Sequence, residues 1–177
     1  GNHFCEVGHV AEVFDDDAAN AFGLVRGSVT VMIHSGSRGL GHQICDDALA
    51  YMIPASKRYG IALADKQLAC APLLCREANQ YFSAMACAIN YAFANRQMLT
   101  HLVRTRMSEL LRAADGELGF DLVYDVCHNI AKWETHAIAG RARRVCVHRK
   151  GATRAFGPGH AAIPLRYRSV GQPVLVP

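Results

Sequence analysis

Three histidines stand where their side chains could meet. His3 lies near the start of the chain, His34 ends an apolar, β-branched segment, and His128 directly follows a second apolar segment. Side chains at strand ends commonly share the mouth in which ligand sites are built. Three neutral imidazoles could therefore hold a divalent metal ion such as zinc or manganese. The alternative is that each is an ordinary hydrogen-bonded histidine, and the residue types alone leave both interpretations open.

A glycine-rich loop directly after His34 is a second candidate. Residues 35–41, SGSRGLG, contain three glycines and Arg38. Glycines allow backbone N–H groups to face an anion, and a guanidinium can bind a phosphate through two hydrogen bonds. The segment is neither a Walker A motif nor a GxGxxG motif. Its alternative is an ordinary turn into the helix that we predict from residue 42.

A compact basic stretch follows the last predicted strand. Residues 148–154, HRKGATR, could contact the phosphates of a nucleic acid, or could form a solvated charged turn. Cys127 and His128 are adjacent, but neighbours in a strand point to opposite faces. A nucleophilic Cys–His pair is therefore not expected there.

Composition limits the class of protein. The chain has 177 residues, 51% hydrophobic and 19% charged, with a formal net charge of +4. Such a chain can bury a core and is too apolar to be disordered. It lacks an apolar run long enough to cross a membrane, so no membrane association is expected. Its seven cysteines are scattered and odd in number, which favours reduced thiols and a cytoplasmic location.

The elements that must position these residues are both helical and extended. Three aspartates at 15–17 and Gly23 predict a short helix between them, and helical spacing without glycine or proline predicts a long helix over 76–113. A third helix is predicted over 42–53, with Pro54 beyond it. Strands are predicted over 28–34, 120–127 and 144–149, the last forming a hairpin with 134–139 across Gly140. Because these elements do not alternate as βαβ units, the predicted fold class is α+β.

Six segments in order carry a resemblance to a known family. They are GNHFCEV, MIHSGSRGLGHQ, NYAFANRQ, YDVCHNIAK, VHRKGATRAF and GQPVLVP. Together they closely resemble the RtcB family of RNA ligases over essentially the whole chain. The resemblance implies an α+β fold with mixed sheets and flanking helices, including the long helix near 76–113. It also implies that residues 1–177 form a single partial catalytic domain, truncated at both ends.

The resemblance implies an activity. Ligases of this family join an RNA 3′-phosphate or 2′,3′-cyclic phosphate end to a 5′-hydroxyl end, using GTP and Mn²⁺, in tRNA splicing and RNA repair. Two manganese ions are expected in the full protein. The implied partner is RNA, a protein activator is compatible with the resemblance, and the implied location is cytoplasmic.

The resemblance also assigns residues. The family's guanylylated histidine, and an aspartate and a bridging cysteine that ligate its metals, have no counterpart here. No catalytic residue is therefore assigned, and the chain alone is expected to be inactive. The implied metal ligands are His3, His34 and His128. The implied GTP site comprises Asn2, His3, Phe4, Cys5, Glu6, His128 and Asn129, and the implied RNA or phosphate contacts are Arg38 and Lys150.

Two other function classes stay open from the sequence. A non-catalytic RNA-binding module would bind RNA without needing metal. A metal-dependent phosphoesterase built on the three histidines would cleave rather than join, and would form no covalent GMP adduct. Substitution of His34 by alanine separates the three function classes. The ligase and the phosphoesterase should lose metal affinity, whereas the binding module should keep its RNA affinity.

Overall fold

A computed structural model describes residues 2–175. Gly1, Val176 and Pro177, which belong to the first and last segments of the family resemblance, lie outside the described residues. The described part contains three α-helices and four β-strands. In chain order they are β1 (Phe4–His9), α1 (Asp16–Phe22), β2 (Val29–His34), α2 (Arg38–Arg58), α3 (Arg76–Leu111), β3 (Asn129–Ile138) and β4 (Arg141–Lys150).

The strands form two antiparallel pairs. β1 pairs with β2, with Phe4 opposite His34, and β3 pairs with β4, with Asn129 opposite Lys150. The predicted α+β class is confirmed, and so is the long helix. The predicted mixed sheets are not found in the described residues, where each sheet is a single antiparallel pair of consecutive strands. Antiparallel pairing of consecutive strands needs no crossover connection. In the described residues, no crossover connection places a parallel strand beside either pair.

The chain divides into two compact units. One consists of the residues up to His34 together with those from Leu99 onward, and the other consists of residues 35–98. Buried Ile130, Ile163 and Tyr167 lie in the first unit, where the Tyr167 hydroxyl donates to the Val123 carbonyl at 3.0 Å. The second unit buries mainly small side chains, among them Ala48, Ala55, Ala78, Ala88 and Ala92. The prediction of a single partial domain over 1–177 stays a prediction.

Local signals account for α1. Its N-cap Asp15 accepts a hydrogen bond from the Ala18 N–H at 2.9 Å, and Gly23 ends it in the left-handed conformation at φ 70°. Both are standard helix boundaries, because the carboxylate satisfies an unpaired N–H and glycine adopts positive φ without steric cost. The predicted helix is confirmed.

The predicted bounds of α2 are wrong at both ends. The helix begins at Arg38, inside the glycine-rich segment, and continues through Pro54 to Arg58. Pro54 is exposed, while Met52, Ala55 and Ser56 around it are buried. Packing of these neighbours offsets the hydrogen bond that proline removes. A Cβ at Gly41 would lie 1.9 Å from the Ser37 Oγ, so this glycine serves close packing in a helix rather than a turn.

The predicted strand over 120–127 is also wrong. None of these residues, all of them described, belongs to a strand, and His128 therefore precedes β3 instead of following a strand. Side chains take the place of a neighbouring strand. The Arg104 guanidinium donates to the Phe120 carbonyl at 2.7 Å, and Tyr167 donates to Val123. The apolar, β-branched pattern predicted burial of this segment and could not indicate which groups satisfy its backbone.

The β3–β4 hairpin is longer than predicted. It extends over 129–150, with a two-residue turn at Ala139 and Gly140. All seven cysteines are free, as predicted. None of the helices within residues 2–175 combines the length and apolar composition needed to cross a bilayer.

Candidate functional site

Two histidines from separate elements face each other. His34 is the last residue of β2, and His128 is the residue before β3. Their Nε2 atoms lie 3.2 Å apart, and both side chains are partly buried. Which of the two Nε2 atoms donates depends on the ring tautomers, since a neutral imidazole has one donor and one acceptor nitrogen.

His3 and Phe4 complete the surroundings of His34. The His3 ring centroid lies 5.9 Å from that of His34, and the Phe4 ring lies 5.3 Å from it in an edge-on arrangement. The β1–β2 register explains the second contact, because Phe4 is the cross-strand partner of His34. The aromatic ring thus holds the His34 imidazole on one side.

The distance between the two Nε2 atoms fits shared ligation of one cation. Metal–nitrogen bonds of about 2.0–2.1 Å, at angles between a right angle and the tetrahedral angle, separate two ligand nitrogens by about 2.8–3.4 Å. His34 and His128 have this separation. Within residues 2–175, however, no group of three or more His, Cys, Asp and Glu side chains is arranged to hold a metal ion. The three-histidine site stays a prediction, and the structure provides two of its donors in facing positions.

The residues predicted to bind GTP divide between two strands. Asn2, Cys5 and Glu6 are exposed at the start of the chain and along β1, with Glu6 on the same strand face as Phe4. Asn129, at the start of β3, accepts a hydrogen bond from the Gly151 N–H at 2.9 Å through its Oδ1. This bond fixes the Asn129 side chain next to His128 and leaves its amide N–H groups for other partners.

Arg38 lies in the other compact unit, at the first residue of α2, where its φ is 55°. The loop before it is held by α3. The Asn95 amide donates to the Ser35 Oγ at 3.0 Å and to the Gly36 carbonyl at 2.9 Å, and Arg96 donates to the Ser35 carbonyl at 3.2 Å. Sequence reasoning missed these two positioning residues. The sequence shows only that two polar residues interrupt the apolar stripe of α3, and their loop partners and the burial of Arg96 come from the structure.

Lys150 is the last residue of β4, exposed and opposite Asn129. It is therefore the basic residue that the hairpin register places beside the start of β3. The neighbouring Arg149 is not comparable, because it is half of an ion pair. Its two Nη atoms donate to the Glu134 carboxylate at 2.7 and 2.9 Å.

A three-residue network surrounds that carboxylate. His136 Nε2 lies 2.8 Å from the Glu134 Oε2, and the Glu134 side chain is about one-tenth exposed. The hydrogen bonds from Arg149, with a smaller contribution from His136, lower the pKa of Glu134 to about 2. The carboxylate is therefore ionised throughout the physiological range and neutralises the charge of Arg149.

Comparison with known proteins identifies the family. The family model described as tRNA-splicing ligase RtcB matches residues 1–177. The chain belongs to this family, as the sequence motifs predicted.

Three relatives illustrate the similarity, each named tRNA-splicing ligase RtcB. Those of Methanococcus maripaludis and Archaeoglobus fulgidus are each 55% identical over 177 residues, and that of Methanocaldococcus jannaschii is 56% identical over 177 residues. The alignments cover all of this chain. They cover 37%, 37% and 18% of the relatives, so the chain spans well under half of their length.

Proposed function

We propose that this chain forms part of an RNA ligase that joins 3′-phosphate or 2′,3′-cyclic phosphate ends to 5′-hydroxyl ends, using GTP and Mn²⁺, in tRNA splicing or RNA repair. The observation that carries the proposal is the facing pair of Nε2 atoms, 3.2 Å apart, on His34 and His128. Membership of the RtcB family supplies the reaction class. The proposed location is cytoplasmic. The proposed partner is RNA, and the proposal is compatible with a protein activator.

His34 and His128 would hold one Mn²⁺, with His3 contributing to metal binding nearby. When bound there, a divalent ion supplies positive charge that polarises phosphate oxygens. Phe4 restricts the His34 ring through its edge-on contact, so the two imidazoles are oriented before a ligand arrives. A second ion belongs to the proposal for the full protein, with ligands that this chain does not supply.

The nucleotide would lie against the start of β1 and the start of β3. Asn2 and the amide N–H groups of Asn129 can donate to phosphate or sugar oxygens, and the exposed Glu6 carboxylate can accept hydrogen bonds from the guanine N–H groups. Phe4 offers an aromatic surface nearby, and Cys5 lies between Phe4 and Glu6 on β1. Arg38 and Lys150 would contact phosphates of the RNA.

The histidine that becomes guanylylated in this proposal is none of those in this chain. His136 is held by Glu134, and His148 lies 3.6 Å from the Cys146 thiol. Both belong to the hairpin, and neither belongs to the segment in which the family has its nucleophile. The role of this chain is therefore to bind the metal and nucleotide and to orient them.

Metal binding tests the proposal directly. We expect the 177-residue chain to bind Mn²⁺, measured by the loss of the free-ion signal in electron paramagnetic resonance. His34→Ala and His128→Ala should each weaken that affinity tenfold or more, because each removes a ligand. His42→Ala is the matched control, since His42 is exposed and pairs with Asp46 at 3.1 Å, away from His34 and His128 in the sequence. Equal affinities in all four proteins would overturn the metal assignment.

Activity is tested on the native protein that carries this sequence. Exposure to GTP and Mn²⁺ should add the mass of one GMP to it, and RNA fragments with the named ends should be joined. Cleavage of RNA without a GMP adduct would instead favour the phosphoesterase alternative. RNA binding that needs no metal, with no adduct and no cleavage, would favour the non-catalytic binding module.

A further inference from the structure

The β3–β4 hairpin concentrates the positive charge of the chain. Residues 129–150 include six lysines and arginines and one acidic residue, a formal +5, whereas all 177 residues together carry +4. Most residues in the outer half of the hairpin are exposed on both strands, including Thr135, Arg141, Arg143 and Arg144. A charged, exposed ribbon of two strands is a shape that nucleic-acid-binding proteins use.

Both faces of this hairpin carry net positive charge, but they differ in the side chains that accompany the cations. In antiparallel strands alternate residues share a face. One face bears Glu134, which pairs with Arg149 and His136. It also carries Lys132, Arg141 and Arg143, without a Phe, Tyr or Trp side chain. The opposite face is formed by Asn129, Trp133, Arg144, Cys146, His148 and Lys150, and is called here the Trp133 face.

The Trp133 face combines an aromatic surface with unneutralised cations. The Arg144 guanidinium lies 4.9 Å from the centroid of the Trp133 ring, and Trp133 is 42% exposed. Within residues 2–175, neither Arg144 nor Lys150 forms an ion pair with a carboxylate. Cations bind the phosphates of single-stranded nucleic acids, and exposed aromatic rings stack on the bases.

This face begins at the candidate site. Lys150 is the register partner of Asn129, and Asn129 directly follows His128. From there the face continues along β4 through His148 to Arg144, towards the hairpin turn. A strand of RNA lying on it would have one end beside the facing histidines.

We propose that the Trp133 face binds the single-stranded end of an RNA, with phosphates on Arg144 and Lys150 and a base on Trp133. The RNA end is thereby directed towards His34 and His128. The choice of RNA as occupant rests on the proposed function, and the surface itself rests on the charge, exposure and register of the hairpin.

Trp133 provides a local readout, because it is the one tryptophan in the chain. A single-stranded RNA of twelve nucleotides with a 3′-phosphate, added to the 177-residue chain, should change the Trp133 fluorescence and saturate. Arg144→Glu should weaken the affinity tenfold or more, measured by anisotropy of labelled RNA. Arg144→Gln removes one phosphate contact, so the slope of log affinity against log salt should fall by about 0.7.

Arg106→Glu is the matched control. It makes the same charge reversal at an exposed arginine of α3, outside the hairpin, and should change the affinity less than twofold. Equal losses in Arg106→Glu and Arg144→Glu would mean that only net charge matters, which overturns the proposal. RNA binding that leaves Trp133 fluorescence unchanged would also overturn it.

Two further measurements separate the outcomes. A polyglutamate peptide that binds in an Arg144-dependent way, where RNA does not, would assign the face to an acidic protein and overturn the proposal. Mn²⁺ affinity should be unchanged in Arg144→Gln. If RNA binds as described while Mn²⁺ does not bind, the proposed ligase function fails and the RNA-binding face stands.

If Arg144→Glu loses its circular dichroism, Arg144→Gln and Lys150→Gln provide the test, and unchanged RNA affinity in both would overturn the proposal.

Discussion

Glu134 is the acidic residue of a strongly basic hairpin, and its protonation state controls the network around it. The Arg149 hydrogen bonds lower its pKa to about 2 in the folded chain, from an ordinary value of 4.5. A carboxyl group whose pKa is lower in the folded chain than in the unfolded chain stabilises the fold at pH values above its unfolded-state pKa. This contribution is lost as the pH falls towards the folded-state pKa. The stabilising contribution of Glu134 is therefore complete above about pH 4.5 and disappears between there and about pH 2.

Glu134→Gln should lower the free energy of unfolding by about 2 kcal/mol at pH 7, because Arg149 keeps its charge without its partner. Urea denaturation between pH 7 and pH 2.5 measures this, and the difference from the unchanged chain should shrink as the pH falls. Glu109→Gln is the control, since the exposed Arg106–Glu109 pair should contribute less than about 0.5 kcal/mol. A Glu134 effect as small as the control would contradict the assignment.

Arg38 combines a strained backbone with a candidate phosphate contact. At φ 55° it occupies the left-handed region, which costs an ordinary residue about 1 kcal/mol relative to glycine. Arg38→Gly should therefore retain or raise the stability while it weakens RNA affinity. Arg112→Gly, at φ 52°, relieves the same strain without a predicted phosphate contact. Urea unfolding and RNA anisotropy on both variants distinguish the two effects, and unchanged RNA affinity in Arg38→Gly would exclude the phosphate role.

The hairpin turn shows how a single element can be improved. Ala139 and Gly140 connect Ile138 to its partner Arg141, with φ angles of 50° and 74°. Positive φ at both central positions is the type I′ turn, for which Asn-Gly is the favoured sequence. Ala139→Asn should stabilise the chain by about 0.5–1 kcal/mol, measured by urea denaturation. A loss of stability would mean that the turn is not formed as described.

Elements with local signals were predictable from the sequence. The Asp15 and Gly23 caps gave the bounds of α1, and the absence of glycine and proline over 76–113 indicated α3. The bounds of α2 were not predictable in this way, because Pro54 and Gly41 are breakers only where packing does not compensate for them. Whether the apolar residues 120–127 pair as a strand depends on a neighbour that the segment itself does not specify.

The candidate site likewise contains residues that a local sequence signal indicates and residues that it does not. His34 and His128 could be selected because each stands beside an apolar segment, although the segment before His128 is not a strand. Asn95 and Arg96 hold a loop that lies about 60 residues earlier in the chain. Spacing within a helix cannot reveal a contact of that separation, so these positioning residues emerged only from the structure.

At the scale of the whole molecule, apolar side chains are prominent on the surface. Phe14 and Leu74 are each 90% exposed, and Leu165 is 80% exposed. Exposed apolar surface drives association, so the 177-residue chain should self-associate as its concentration rises. Sedimentation velocity measures this, and Phe14→Ser with Leu165→Ser should reduce it. A chain that stays monomeric at high concentration would contradict the expectation.

The register of the hairpin has a consequence for the length of RNA that the protein can select. Lys150 and Arg144 are six residues apart on one strand, which corresponds to about 20 Å. Stacked nucleotides rise about 3.4 Å each, so this distance spans about six of them. Affinity should rise with the length of a single-stranded end up to about six nucleotides and then level off. Shorter ends would reach the histidines without reaching Arg144, and β4 thus sets a minimum unpaired length for tight binding.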